Sequence, residues 1–218
     1  MAKKKNITNN DIILFYMNYV LEHNHQPKTV YAFAKAYNFE EEKFYDHFGS
    51  FEAVEKKVFT AFFHNTVAVL KKSDDYQSYD ARNKLLSFYF TFFENLTANR
   101  SYVKYALEHN KNSLKSMRLL KDLKHVFTNY IAHLGIDLID VKQEQIDRVQ
   151  QRGLKETAWL QLLLTMKFWI DDTSPAFDKT DIFIEKSVNT SFDVLDVAPV
   201  RSLINFGKFI FKEKAQMN

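Results

Sequence analysis

Along this chain apolar residues return every three or four positions, and short polar joints interrupt them. The first stripe, Ile12, Phe15, Tyr16, Tyr19 and Val20, predicts a helix that opens at a capping box of Thr8 and Asp11 and ends near "EHNHQP", where Pro27 stops it. A second, short helix is expected within "KTVYAFAKAY", with Thr29 near its start and Val30, Phe33 and Ala34 on its inner face. Asn38 tolerates the left-handed backbone of a tight turn, so "YNF" leads into a third helix at residues 40 to 47. "GS" ends that unit. Ser50 then reads as the N-cap of a longer helix, with Glu52 in its first turn and Val54, Val58, Phe62 and Leu70 along one side. "KKSDDYQSYD" closes it, and further helices are predicted over 81–97, 101–109, 112–134, 142–171 and 179–194.

Composition supports an all-α chain, because 4 Gly and 3 Pro in 218 residues are too few for many tight hairpins. There is no internal repeat and no long linker, so two units, 1–50 and 51–218, are expected to sit against each other. The 21 Phe and 11 Tyr predict a bulky core, either simply packed or with room for an apolar guest. With no Cys, disulfides, thiolate metal sites and cysteine nucleophiles are excluded. "MAKKKNITNN" has no apolar segment after its lysines, and no run approaches ~18 uninterrupted apolar residues. A soluble, cytoplasmic protein is expected.

No chemistry of an enzyme is visible. "HNH" at residues 23 to 25 lacks the i, i+4 spacing that places two ligands on one helix face. Asp171 and Asp172, adjacent on a helix, diverge and read as a cap or a solvated joint. Gly-rich phosphate loops and nucleophile elbows are missing, so no catalytic residue, metal ligand or cofactor is predicted.

Residues 29 to 59 carry an ordered set of features: Phe33-Ala34, a turn at Asn38, the apolar Phe39, then Tyr45 and Phe48 as "Tyr-x-x-Phe", and Ser50, Glu52 and Ala53 at the next helix start. In this they resemble the N-terminal domain of the TetR family of transcriptional regulators, with Phe51 in place of that family's lysine. "KFWIDDTSPAFDKTDIFIEKSVNTSFDVLD" is similar to the last two helices of some members. The resemblance implies a helix-turn-helix domain over 1–50 and a ligand-binding and dimerisation domain over 51–218. By the same resemblance Thr29 and Tyr45 contact phosphates, and Lys43, Lys28 and His47 complete the DNA-binding set.

Charge sets a counterweight. Residues 1–50 hold six lysines (Lys3, Lys4, Lys5, Lys28, Lys35, Lys43) and six carboxylates (Asp11, Glu22, Glu40, Glu41, Glu42, Asp46), a balance of zero. Each missing cation removes a counterion-release contribution to DNA affinity. Glu40, Glu41 and Glu42 open the third helix, where carboxylates also favour a helix's positive end by ~0.3–1 kcal/mol each. A net charge of +3 over the chain adds no general attraction to nucleic acid.

In the larger domain, "WLQLLLTMKFWI" is apolar on nearly every side, and "DIFIEKSVNTSFDVL" supplies Ile182, Ile184, Val188, Phe192 and Leu195. The resemblance implies homodimerisation through these two helices. Phe92, Phe93, Tyr102, Tyr105 and Trp159 are the candidate lining of a ligand pocket for a small apolar or amphipathic effector, although such a stripe also suits plain core. "RSLINFGKFIFKEK" is an amphipathic C-terminal stretch that either covers the domain or touches an anionic membrane. Two functions follow: a ligand-responsive regulator, read as a repressor, that binds operator DNA as a homodimer, or a module of the same fold that binds a lipid or isoprenoid and a membrane or protein partner instead of DNA.

Overall fold

A computed structural model of the chain describes residues 7–108, 117–136 and 144–196, the side chains of 144–146 and 196 apart. Among them the regular elements are helices: α1 (Asn9–His23), α2 (Val30–Ala36), α3 (Glu41–Tyr45), α4 (Phe51–Leu70), α5 (Asp74–Ser78), α6 (Ala81–Ala98), α7 (Arg100–Glu108), α8 (Lys121–Ala132), α9 (Glu144–Asp171) and α10 (Asp178–Asp196). The fold is all-α. Described residues of Met1–Thr66 and Phe92–Val126 form one compact unit, and those of Val67–Thr91 and Phe127–Asn218 a second.

In the first unit the local signals act as the sequence predicts. Thr8 Oγ1 accepts from Asp11 N (3.2 Å) and Thr8 N donates to Asp11 Oδ2 (2.9 Å), which closes the capping box of α1. Thr29 caps α2 by accepting from Ala32 N, and Ser50 starts α4 by accepting from Ala53 N. Asn38 sits at φ 57°, the left-handed turn between α2 and α3. Ile12, Tyr16 and Val20 are fully buried, with Phe33, Phe39 and Phe44 from α2, the turn and α3. Phe15 and Val30 are only half-buried. Phe15 instead stacks on Tyr37, ring centroids 4.5 Å apart.

Phe51 explains its own presence. Its ring stacks on Tyr16 (5.6 Å) and meets the edges or faces of Phe33 (5.5 Å) and Phe44 (5.2 Å). Half-buried, it joins α1, α2, α3 and the start of α4 in one aromatic cluster, and a lysine there would supply no ring to these contacts. The first unit also includes α7, which packs against α1 and buries Tyr102, Val103 and Ala106.

Three elements differ from the predicted pattern. The third helix is shorter than 40–47, because Glu40 is extended (φ −76°, ψ 136°) and the chain turns after Tyr45. "SDDYQS" is helical rather than a plain joint: Asp74 and Asp75 occupy the first turn of α5, and Tyr76 is buried with its hydroxyl 2.8 Å from that of Tyr130. The helix expected over 112–134 breaks at Leu120 before α8 begins.

The second unit centres on Phe88, Phe127 and Tyr130, with Trp159 6.4 Å from Phe127. Helices α9 and α10 lie against each other, joined by a turn in which Ala176 (φ 52°) and Phe177 (φ 63°) are both left-handed. Two such residues in succession are strained. Asp172 holds the turn, its Oδ1 accepting from Ser174 N and Oγ and its Oδ2 from Thr180 N and Oγ1, at 2.7–3.0 Å. Burial would push this carboxyl up, but the hydroxyls of Thr180 and Ser174 and their backbone N–H groups together bring it down to about 2. Asp172 is therefore the cap of the joint, while Asp171 pairs with Lys167 on the outer surface. The amphipathic stretch 201–214 lies outside the described residues.

Candidate functional site

The helix-turn-helix presents a small outer surface whose chemistry can be read side chain by side chain. Tyr45 of α3 is 54% exposed, its ring held by an edge contact to the buried Phe44. Lys28 and Thr29 are exposed at the start of α2. Thr29's cap uses an oxygen lone pair, so its O–H remains available as a donor. Lys43 is turned to Asp46 one helical turn on (2.8 Å), so the cation of α3 is locally neutralised. That hydrogen bond and charge raise the ammonium above its ordinary range and hold Asp46 below its own. The pair is exposed, so water and salt screen it and it holds only weakly.

His47 has a different place. Its Nε2 donates to the carbonyl of Ile7 at 3.1 Å, and Ile7 is buried. The imidazole fastens the segment before α1 beside the end of α3. Glu40 and Glu42 are exposed and Glu41 half-buried, so the acidic character seen in the sequence lies at the surface. Tyr31 of α2 is 63% exposed and was not singled out by the sequence; its position two residues before the buried Phe33 would have placed it on the outer face.

The predicted pocket residues take several positions. Phe92, Phe93 and Tyr102 are core side chains of the first unit, and Trp159 is a core side chain of the second. Tyr105 is half-buried and lines a cavity of about 590 Å³ in the first unit. The walls are Phe51, Glu52 and Glu55 of α4 with Tyr105 and Ala106 of α7. His25 and Gln26, from the joint before α2, close one side, and Arg118 and Leu119 another. Sequence periodicity does not single out Glu55, since it lies beside the apolar stripe of Val54 and Val58. Tyr16 donates to Glu55 Oε1 at 2.6 Å. Burial first, and then the Glu55 charge, push the Tyr16 and Tyr102 hydroxyls well above the ordinary phenol range, so both stay protonated.

A second feature lies on α9 and α10. Leu160 (55%), Leu164 (54%) and Ile182 (49%) are exposed, and Phe168 stacks on Phe183 at 4.6 Å beside them. They line an apolar groove along the two helices. Ile182 thus faces outward, while Ile184 and Val188, also read as apolar positions of this helix, are fully buried.

Residues 84–210 match the family described as tetracyclin repressor-like, C-terminal domain, which is more than half of the chain. The chain belongs to this family. It is a family of TetR-type regulators rather than enzymes, and DNA-binding regulation is typical of it. The match covers α6 to α10, so the TetR-like assignment and the helix-turn-helix rest on different parts of the chain. No curated protein matches the chain. No helix among the described residues is long and apolar enough to cross a membrane.

Proposed function

We propose that this chain is a ligand-responsive transcriptional regulator that binds operator DNA as a homodimer and acts as a repressor. The observation that carries the reading is the α2–Asn38–α3 unit, a helix-turn-helix with Tyr45 and Thr29 at its outer surface, in a chain whose residues 84–210 match a tetracyclin repressor-like C-terminal domain. Thr29 and Lys28 at one helix start and Tyr45 on the other helix would hold phosphates, and Lys43 would exchange Asp46 for a phosphate on binding. His47 acts indirectly, by keeping the segment that follows Lys3, Lys4 and Lys5 anchored near α3. The exposed Leu160, Leu164 and Ile182 supply the surface of a second copy, which would seat α9 and α10 against their counterparts.

One observation favours the other reading, a module that has given up DNA for a lipid or isoprenoid. Glu40 and Glu42 are exposed at the reading helix while Lys43 is already paired. Fluorescence anisotropy separates the two. The regulator binds a duplex from the region flanking its own gene at least tenfold more tightly than random duplex of equal length, and Tyr45→Ala removes most of that difference. Equal affinity for both duplexes, with lipid retained through purification, would support the module.

A further inference from the structure

We infer that the cavity at the base of the helix-turn-helix is a binding site for an amphipathic organic cation, with the Glu55 carboxylate as its counter-ion. At about 590 Å³ it is of the size that takes a drug-like molecule. The charges decide the class of ligand. Glu52, also in the wall, pairs with Lys56 at 2.7 Å, whereas the ion pairs among the described residues leave Glu55 with no cation. Glu55 has one neutral donor, Tyr16, on Oε1, which fixes the carboxylate and leaves Oε2 for a guest. Phe51 and Tyr105 add aromatic surface to the same wall, the partner that an organic cation gains from most after a carboxylate. Close by on α7, the Tyr102 hydroxyl is buried with no hydrogen-bond partner among the described residues.

The opposing groups are Arg118 and His25, which also line the cavity. Arg118 is exposed, and the ion pairs among the described residues do not join it to Glu55, so its charge is screened by water more than that of the held carboxylate. His25 Nδ1 lies 2.8 Å from the carbonyl oxygen of Gln26, so that nitrogen carries the proton and serves the backbone. A guest here would touch Phe51, whose ring contacts Phe44 of the reading helix directly. Occupation would therefore be felt at α3. The regulatory consequence rests on the function proposed above; the binding itself does not.

Isothermal titration of the full chain, without DNA, with tetraphenylphosphonium and tetraphenylborate tests the site, since the two ions share a shape and differ in the sign of their charge. The cation is expected to bind at least about tenfold more tightly than the anion, and Glu55→Gln to lose most of that preference. Glu52→Gln is expected to leave it unchanged. Equal binding of the two ions, tighter binding of the anion, or no binding of the cation overturns the inference on the unaltered protein, whatever the folding of the variants. If the cation binds but Glu55→Gln, folded by circular dichroism, keeps its full affinity, Glu55 is not the counter-ion and the inference also fails. A protein that binds the cation yet no DNA would separate this site from the regulator reading.

Discussion

The helix-turn-helix and the α9–α10 pair both expose side chains that a lone protomer has no use for, and they do so with opposite chemistry. On α9 and α10 the exposed groups are Leu160, Leu164, Phe168 and Ile182, which gain from any apolar cover. On the helix-turn-helix they are Tyr31 and Tyr45 among carboxylates, which gain only from a partner that can satisfy hydroxyls and tolerate negative charge. In the dimer proposed above the first surface would serve assembly, and in the DNA complex proposed above the second would serve selectivity. Of the two proposed contacts assembly would be the stronger, because burying several aliphatic side chains contributes ~1.5–3 kcal/mol each while exposed ion pairs contribute at most ~1.

The largest effect should come from the apolar surface. Leu160→Glu combined with Leu164→Glu is expected to turn a dimer into a monomer in sedimentation velocity, with helix content retained. A dimer that survives both charges would remove α9 from the interface. Next, Tyr45→Ala should weaken operator binding by about tenfold, a loss on the order of one good phosphate or stacking contact, read by anisotropy at fixed salt. The acidic residues give a smaller change of opposite sign. Glu40→Lys with Glu42→Lys should raise affinity for random duplex several-fold at low salt and steepen the salt slope by up to about 2. If affinity does not move, that surface does not meet DNA.

The smallest effect concerns the turn that aligns the apolar surface. Asp172 titrates near 2 in the folded chain, below an ordinary carboxylate near 3.8, so its contribution is complete above the unfolded value and is lost as pH falls from about 4 to 2. Asp172→Asn should lower Tm by roughly 2–4 °C at neutral pH, and the gap to the unaltered protein should close over that acid range. A gap that stays constant down to pH 2 would mean that the carboxylate charge contributes nothing to the turn.

How far these surfaces can be read without coordinates depends on the range of the interactions. The caps at Thr8, Thr29 and Ser50 and the left-handed Asn38 are set within three or four residues, and the sequence shows each of them. The exclusion of "SDDYQS" from the helices failed for a longer-range reason. Tyr76 finds Tyr130 54 residues away, and that contact makes a polar joint fold. The candidate site follows the same rule. Exposure of Tyr45 follows from the burial of Phe44 beside it, whereas the pairing of His47 with Ile7 spans 40 residues. The cavity combines α4, α7 and the joint before α2, and a periodicity that names only core positions passes over Glu55. Phe51 stands between these cases: in the sequence it shows only as a departure from a family pattern, and the contacts with Tyr16, Phe33 and Phe44 show what the ring does.

Whether the helix-turn-helix still reads DNA is tested most directly by anisotropy of the flanking duplex across 50 to about 300 mM salt. Saturable binding is expected at low salt, with log affinity falling as salt rises at a slope no steeper than about 11, since residues 1–50 hold six lysines per protomer, Lys3, Lys4, Lys5, Lys28, Lys35 and Lys43, and so twelve in a dimer. Absence of saturable binding at the lowest salt, in a preparation that is folded and dimeric, would contradict it.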